Sequence, residues 1–372
     1  MTAPRTAGPL LAGLASLGVI ACSPALSQGQ LESRLDELNL PEGFAIELYA
    51  RVSDARQLAV ADDGATVYVS TRDGSVYAVT DENRDGEPED VAVLRDDLYH
   101  PSGLAVAEDG TLYVAERNRV LSYADGEWGV VLPEGTVPDE SRHGTREAGL
   151  GPDGKIYVAV GVPCNICMPE GIEDAIVRMD RDGSNLEVYA EGVRNSVGLD
   201  WHPETGELFF TDNGGDRIGN EIPPDELNRA PEPGLHFGYP YVWGDGQPYP
   251  QFADVEPPEP TVPPALPFEA HVAALGIDFY EGGMFPEEYR HDAFLAQHGS
   301  WDRTPPIGYR VMRVRFDDRG DPVGKEVFVD GWLQANGEAW GRPVDVEELP
   351  DGSLLVSDDG AGAVYRITYR GP

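Results

Sequence analysis

A short unit recurs along the chain: apolar alternation, a turn of the Asp-Gly kind, then a strand ending on a polar residue. It reads QLAVADDGATVYVSTRDG from Gln57, SGLAVAEDGTLYVAERNR from Ser102 and AGLGPDGKIYVAVG from Ala148. It returns as VGLDWHPETGELFFTDNGG from Val197 and as VDVEELPDGSLLVSDDGAG from Val344. The turn glycines Gly64, Gly110, Gly154, Gly206 and Gly352 are spaced by 46, 44, 52 and 146 residues. The last gap has room for a hidden copy, and FPEEYRHDAFLAQHGSWDR from Phe285 supplies it, with Asp292 at the turn. Six such units predict an all-β chain, a six-bladed β-propeller of four-stranded antiparallel blades. One blade alone cannot bury both faces, whereas a closed ring packs blade on blade and leaves only short protected edges.

Composition agrees. Gly 44 and Pro 32 in 372 residues break the chain too often for long helices, and 41% hydrophobic residues suffice for a core. With 66 acidic against 27 basic residues the formal net charge is −39, which argues against nucleic acid or an anionic membrane as partner. That acidity fits either solvation in high salt or a generally acidic exported protein.

Residues 1–27 read as an export signal: Arg5 in a short basic region, then the apolar run PLLAGLASLGVIA, too short to span a bilayer. VIAC resembles a lipobox, with Cys22 as the lipidated N-terminus; the alternative is cleavage after Ser27. Either places the mature protein in the periplasm or cell envelope. Residues 28–37 are expected as a linker and 38–372 as one propeller domain, with a Pro-rich excursion at 222–268 that forms part of a rim or merely spaces two units. In an oxidising compartment Cys164 and Cys167 are expected to form a local disulfide. Haem attachment would need His where Met168 stands, and zinc would need a second cysteine pair. Asp81, Asn83 and Asp85 open a calcium-loop pattern, D-x-[DN]-x-[DN]-G, but Ala92 occupies the place of its closing glutamate; a structural calcium site and a plain acidic turn both fit.

Propeller strand ends gather at the channel mouths, so polar residues there meet from distant sequence. The ends carry His143 with Arg146, Arg194 with Asn195, Asp212 to Asp216, His298 to Arg303, and Arg342. Positive and imidazole groups converging in so acidic a chain suggest an anion site. A lone His143 could equally cap a turn or pair with Glu140.

Four strings carry a resemblance: HGTREAGLGPDGKIYVAVG, EGVRNSVGLDWHPETGELFFTDNGGDRIGNEIPPDELN, AQHGSWDRTPPIGYRVMRVRF and GRPVDVEELPDGSLLVSDDGAGAVYRI. In order, across roughly residues 38 to 370, the chain resembles the glucose/sorbosone dehydrogenases, six-bladed propellers that oxidise sugars with pyrroloquinoline quinone (PQQ) and calcium. The resemblance implies His143, eight residues ahead of Gly151, as the general base, a role a neutral imidazole suits. It implies Arg194, Asn195 and Asn213 at the cofactor, with His298, Trp301, Arg303 and Arg342 contributing to its binding. Backbone carbonyls of Gly214 and Gly215 would hold calcium, a hard ion that takes such oxygens. An external acceptor would receive the electrons.

Three departures shift the expected substrate. Arg142 stands where the soluble glucose enzymes place an aspartate before the histidine, LYHPSG lacks their substrate-side glutamine, and Gly215 replaces a proline. These fit the sorbosone or broad-aldose branch better than glucose. Two other classes remain open from sequence: a calcium-dependent lactonase-type hydrolase built on Asp212, Asn213 and Asp358, and a propeller that binds a ligand without catalysis. The arginines discriminate, because a tricarboxylate cofactor needs them and a lactonase does not.

Overall fold

The computed structural model describes residues 26–258 and 260–371. The export signal and Cys22 lie outside those residues. Six sheets form the blades, in strand order along the chain. The inner strands are Ala55–Val60, Gly103–Val106, Ala148–Leu150, Leu199–Trp201, Ala274–Phe279 and Pro343–Glu348, for blades one to six. Each adjoins the inner strand of the next blade, and the sixth adjoins the first, so the ring is closed.

Closure is completed by the chain's first strand. Phe44–Ala50 pairs antiparallel with the last strand, Ala363–Tyr369, and becomes the outer strand of blade six. The ends of the ring are thus tied by backbone hydrogen bonds rather than by packing alone. Hydroxyls stitch the blades: Ser70 Oγ donates to the Ser102 carbonyl, Thr211 Oγ1 to that of Leu275, and Ser357 Oγ to that of Arg56. Each is a second-strand residue reaching the inner strand of the following blade, a buried bond of about 1 kcal/mol.

The Asp-Gly turns join inner to second strands, with φ +64 at Gly64 and +83 at Gly352, a backbone that glycine adopts freely. Blade five lacks the glycine. A longer connection through the 3-10 turn Glu287–Tyr289 closes on His291, at φ +63. That explains why this copy is hidden in the sequence.

Two expected boundaries move. Residues expected as a linker form a helix, Gln28–Leu35, whose N-terminus is closed by a Ser27–Gln30 capping box. Leu31 anchors it, fully buried in a cluster with Phe328 and Trp332. The excursion begins later than residue 222, because Glu226–Ala230 is the third strand of blade four and Leu266–Pro267 its fourth. Between them the chain adds Leu235–His236 as a parallel fifth strand to blade three. It then packs Tyr239, Trp243 and Tyr249 on Val162 and Ile218. Among the described residues no helix is long and apolar enough to cross a membrane.

Candidate active site

The antiparallel register dictates where side chains gather. The start of each inner strand pairs with the end of its second strand: Ala55 with Thr71, Gly103 with Ala115, Ala274 with Gln297, Pro343 with Asp358. Residues just before an inner strand and just after a second strand therefore meet at one end of the ring, opposite the Asp-Gly turns. The first set holds His100, His143, Arg194, Asn195, His271 and Arg342. The second holds Arg72, Arg117, Asn213, His298 and Asp359.

A carboxylate at the last position of a second strand fixes this edge in three blades. Asp212 accepts the backbone N–H groups of Arg194 (2.9 Å) and Asn195 (2.6 Å). Asp358 accepts that of Arg342 at 2.7 Å, and Glu116 that of Tyr99. Burial pushes the Asp212 carboxyl up to about 6, opposed by those N–H groups and by Arg194. Asp225 does the same work between blades: it accepts Gly214 N–H at 2.8 Å and Ala273 N–H at 2.7 Å.

His143 has a left-handed backbone, φ +50. Its Nδ1 lies 2.9 Å from the Val162 carbonyl, which can only accept, so Nδ1 carries the proton and Nε2 keeps its lone pair. The turn is tight against Gly161, where a Cβ would come within 2.7 Å of the His143 Cβ. Burial, then the fields of Arg194, Arg142 and Arg146, push the imidazole down to about 3, so it is neutral at any ordinary pH.

Two cavities meet at His143 and Asn195. One, about 330 Å³, is also lined by Arg72, His100, Arg117 and Ser141. The other, about 180 Å³, is lined by Arg194, Asn213, Gly214, Asp216, His271 and Trp301. His143, Arg194, Asn195, Asn213, Gly214 and Trp301 are thus brought together as expected from sequence, and Gly215 sits directly behind, against Tyr249 of the excursion. That excursion is part of the rim's support.

Several guanidinium groups do different work from that expected. Arg194 is 2% exposed and bonds the Asn165 and Asn213 carbonyls, Asn165 Oδ1 and Asp216, so it organises the loops around the cavity. Arg146, fully buried, bonds the carbonyls of Arg117, Pro138 and His143 and holds the loop that carries the histidine. Arg303 turns away to the Ala270 carbonyl and Glu221. Arg342 stands behind the wall: it donates to His298 Nδ1 at 2.8 Å, and His298 Nε2 donates to Asp359 at 2.9 Å. Burial pushes His298 down to about 4. Burial alone would raise Asp359, yet His298, Arg56 and Arg342 hold it well below the usual carboxylate range. Asp359 also pairs with Arg72, which links this network to the larger cavity.

Arg72, Arg117 and His100 are the functional candidates that the sequence reading missed. The signal existed: Arg72 and Arg117 follow the second strands of blades one and two just as Asn213 follows that of blade four. Arg117 Nε is buried with no hydrogen-bond partner, an orphan donor at the cavity wall.

Asp216, His271 and Asp302 bring three ligand atoms within 4.8 Å of one another beside Gly214. Gly214 is obligatory there, since a Cβ would lie 2.5 Å from the Pro224 carbonyl. The Asp81 turn is elsewhere. It joins outer strands of blade one, both Asp81 oxygens accept backbone N–H groups of Asp85 and Gly86, and Asn83 bonds Glu89. Cys164 and Cys167 form the expected disulfide, and Cys167 N–H donates to Tyr239, so the pair braces the loop that Arg194 grips.

Fold and site together define a class, the six-bladed β-propellers with a polar cavity at one channel mouth. A family model described as TrAA12-like matches residues 244–370. An uncharacterised protein of Borreliella burgdorferi is 30% identical over 355 residues, 90% of this chain and 91% of its own length. The aldose sugar dehydrogenase YliI of Escherichia coli is 27% identical over 193 residues, 50% of this chain and 45% of the enzyme. Among solved structures, the PQQ domain of pyranose dehydrogenase from Coprinopsis cinerea superposes with a TM-score of 0.75 at 21% identity, covering 89% of this chain and 97% of that domain. A calcium structure of Trichoderma reesei family AA12 gives 0.74 at 21%, with the same coverage. At such identity the two structures establish the fold. The chain belongs to the same family as the Borreliella protein, and its strings resemble those of the glucose/sorbosone dehydrogenases.

Proposed function

We propose that this chain is a sugar oxidoreductase that uses PQQ and calcium, oxidises an aldose or aldosone at the His143 mouth, and passes electrons to an external acceptor. The observation that carries the reading is His143 itself. A neutral imidazole with Nδ1–H anchored and Nε2 unprotonated stands where two cavities meet, across from the orphan Arg117 Nε donor. The donor set fits a polyanionic quinone. Arg117 and Arg72 supply charge-assisted donors, Asn195 and Asn213 polar contacts, and the Gly214–Gly215 loop the close approach a hard cation needs.

When bound, the quinone with its calcium supplies a hydride acceptor of raised electrophilicity. The chain's own residues do the rest. His143 Nε2 takes the proton of the sugar hydroxyl, and the Val162 carbonyl stabilises the imidazolium through Nδ1–H. Arg194 and Arg146 hold the two loops that set this geometry. The open, polar mouth with exposed Trp301 at its edge suits a ring of hydroxyls more than an apolar substrate.

A calcium-held hydrolase would need Asp212 and Asp358 free at the channel. Both are engaged, Asp212 by two backbone N–H groups, Asp358 by those of Arg342 and Ala361 and by the Tyr365 hydroxyl.

The test is reconstitution of the mature protein with PQQ and calcium, followed by dye reduction with a panel of aldoses and aldosones. His143→Gln is expected to lower the rate by about 10²–10⁴-fold while quinone binding, read by absorbance, persists. No dye reduction by the wild type with any sugar would overturn the reading.

A further inference from the structure

Inside the ring, beneath the mouth, lies a second chamber of about 220 Å³ that the sugar chemistry does not use. Its wall carries five carboxylates from four blades: Glu147, Asp200, Asp278, Asp345 and Glu347. Blades one and two contribute only apolar side chains, Leu58 to Val60 and Leu104 to Val106. The acids face one another: Asp345 raises Glu147 and Glu347 after burial itself, and Asp200 does so for Asp278. All five carboxyls are pushed above their ordinary range, burial being the largest cause in each.

Some of these oxygens are spoken for. Asp200 accepts N–H groups of Trp201 and Phe279, and Asp345 that of Leu58. Others are not. Glu147 is 7% exposed, and its Oε2 is buried at the chamber wall without any partner among the described residues; Asp278 Oδ2 is likewise orphaned. Orphaned carboxylate oxygens on blades three and five, lining one chamber, lack the hydrogen-bonding or positive partner that burial demands. The field of Arg56 offsets part of this for Glu147 and Asp345, but its hydrogen bond goes from Nη1 to Asp359 on the mouth side, so it bonds neither orphaned oxygen. The crowding is structural too: a Cβ at Gly276 would lie 1.7 Å from Asp345 Oδ1, so that inner strand admits only glycine beside the acid.

We propose that this chamber is a second cation site, holding a hard divalent ion of the calcium class on Glu147, Asp278, Asp345 and Glu347. No three of these side chains bring ligand atoms within 4.8 Å of one another, so the ion keeps part of its water shell, as a roomy oxygen-only site allows. The ion ties the inner strands of blades three, five and six across the channel and replaces mutual repulsion by shared attraction. It is independent of the quinone and of the mouth.

Trp201 lines the same chamber and provides the readout. The full mature chain, free of quinone, is titrated with Tb³⁺, and luminescence is excited through tryptophan. Wild type is expected to give a saturable signal that excess Ca²⁺ displaces. Glu147→Gln with Asp345→Asn is expected to weaken the Trp201-dependent Tb³⁺ signal at least tenfold, while Asp216→Asn, in the ligand cluster at the mouth, removes only light sensitised there through Trp301. Trp201→Phe should lose the light yet keep the Ca²⁺ heat in calorimetry. In chelator the double variant melts at or above wild type, which shows that it folds, and unlike wild type it gains no thermal stability from Ca²⁺. A Trp201-dependent signal that survives the double variant, or one lost with Asp216→Asn, overturns the proposal. Neither outcome depends on sugar oxidation.

Discussion

The two parts of one channel use charge in opposite ways. At the mouth, arginines and histidines stand on loops that precede inner strands or follow second strands, and carboxylates beneath them serve as backbone clamps. In the interior, carboxylates stand on the inner strands themselves with few partners. The difference follows from what each region can reach. Mouth acids such as Asp212 and Asp225 meet free N–H groups where strands end and satisfy both oxygens. Interior acids share the few N–H groups on the open edges of the inner strands: Leu58, Val60 and Phe279 donate to Asp345, Glu347 and Asp200, and Glu147 Oε2 and Asp278 Oδ2 are left over. A satisfied buried carboxylate builds a rigid site; an unsatisfied one awaits a cation.

That contrast can be broken most severely at the mouth. Asp212→Ala leaves two buried N–H groups without an acceptor and frees the Arg194–Asn195 loop, at about 1–3 kcal/mol for each orphan. Denaturant melts should show that loss together with dye-reduction activity near background. If stability holds and activity is intact, the clamp does not organise the site.

Arg117→Ala removes an orphan donor from the cavity wall and should weaken quinone binding by about ten- to a hundredfold, the worth of a charge-assisted contact. Its stability cost should be small, because the side chain bonds only Tyr99 at 3.3 Å and stacks on that ring. Unchanged quinone affinity would assign Arg117 to the scaffold instead.

The interior makes the smallest and most diagnostic prediction, a pH dependence. Carboxyls raised on folding bind more protons in the native state, so they lower stability as pH rises through their native values. The imidazoles of His143 and His298 are depressed on folding, so their contribution is lost as pH falls below the ordinary histidine range towards 4 and 3. From pH 6.5 to 8 only the first effect operates. In chelator, Tm should fall across that window, and Asp345→Asn, which removes a carboxyl pushed up to about 7, should flatten the slope. A flat wild-type profile would mean that the interior acids are already neutralised by something else.

Much of the architecture was legible because the Asp-Gly turns are local and repeat. Blade five escaped the count of glycines only because His291 closes a longer connection. The site was half legible. His143, Asn195 and Asn213 could be placed because their position relative to a strand end is itself a local fact. The roles of Arg146, Arg194 and Arg303 could not, because the partners that use up their donors come from Pro138, Asn165 and Glu221, far along the chain or on other loops. The interior acids were invisible for a similar reason. Asp200 in VGLDW and Asp345 in VDVEE look like ordinary alternation until the ring points them at one another.

The account stands most directly on where the quinone binds. A crystal structure of the protein soaked with PQQ and calcium should show the quinone between His143 and Asn195, with a carboxylate within hydrogen-bond distance of Arg72 or Arg117 and calcium beside Gly214. Density for the quinone at another surface, or at this mouth with His143 turned away from it, would contradict it.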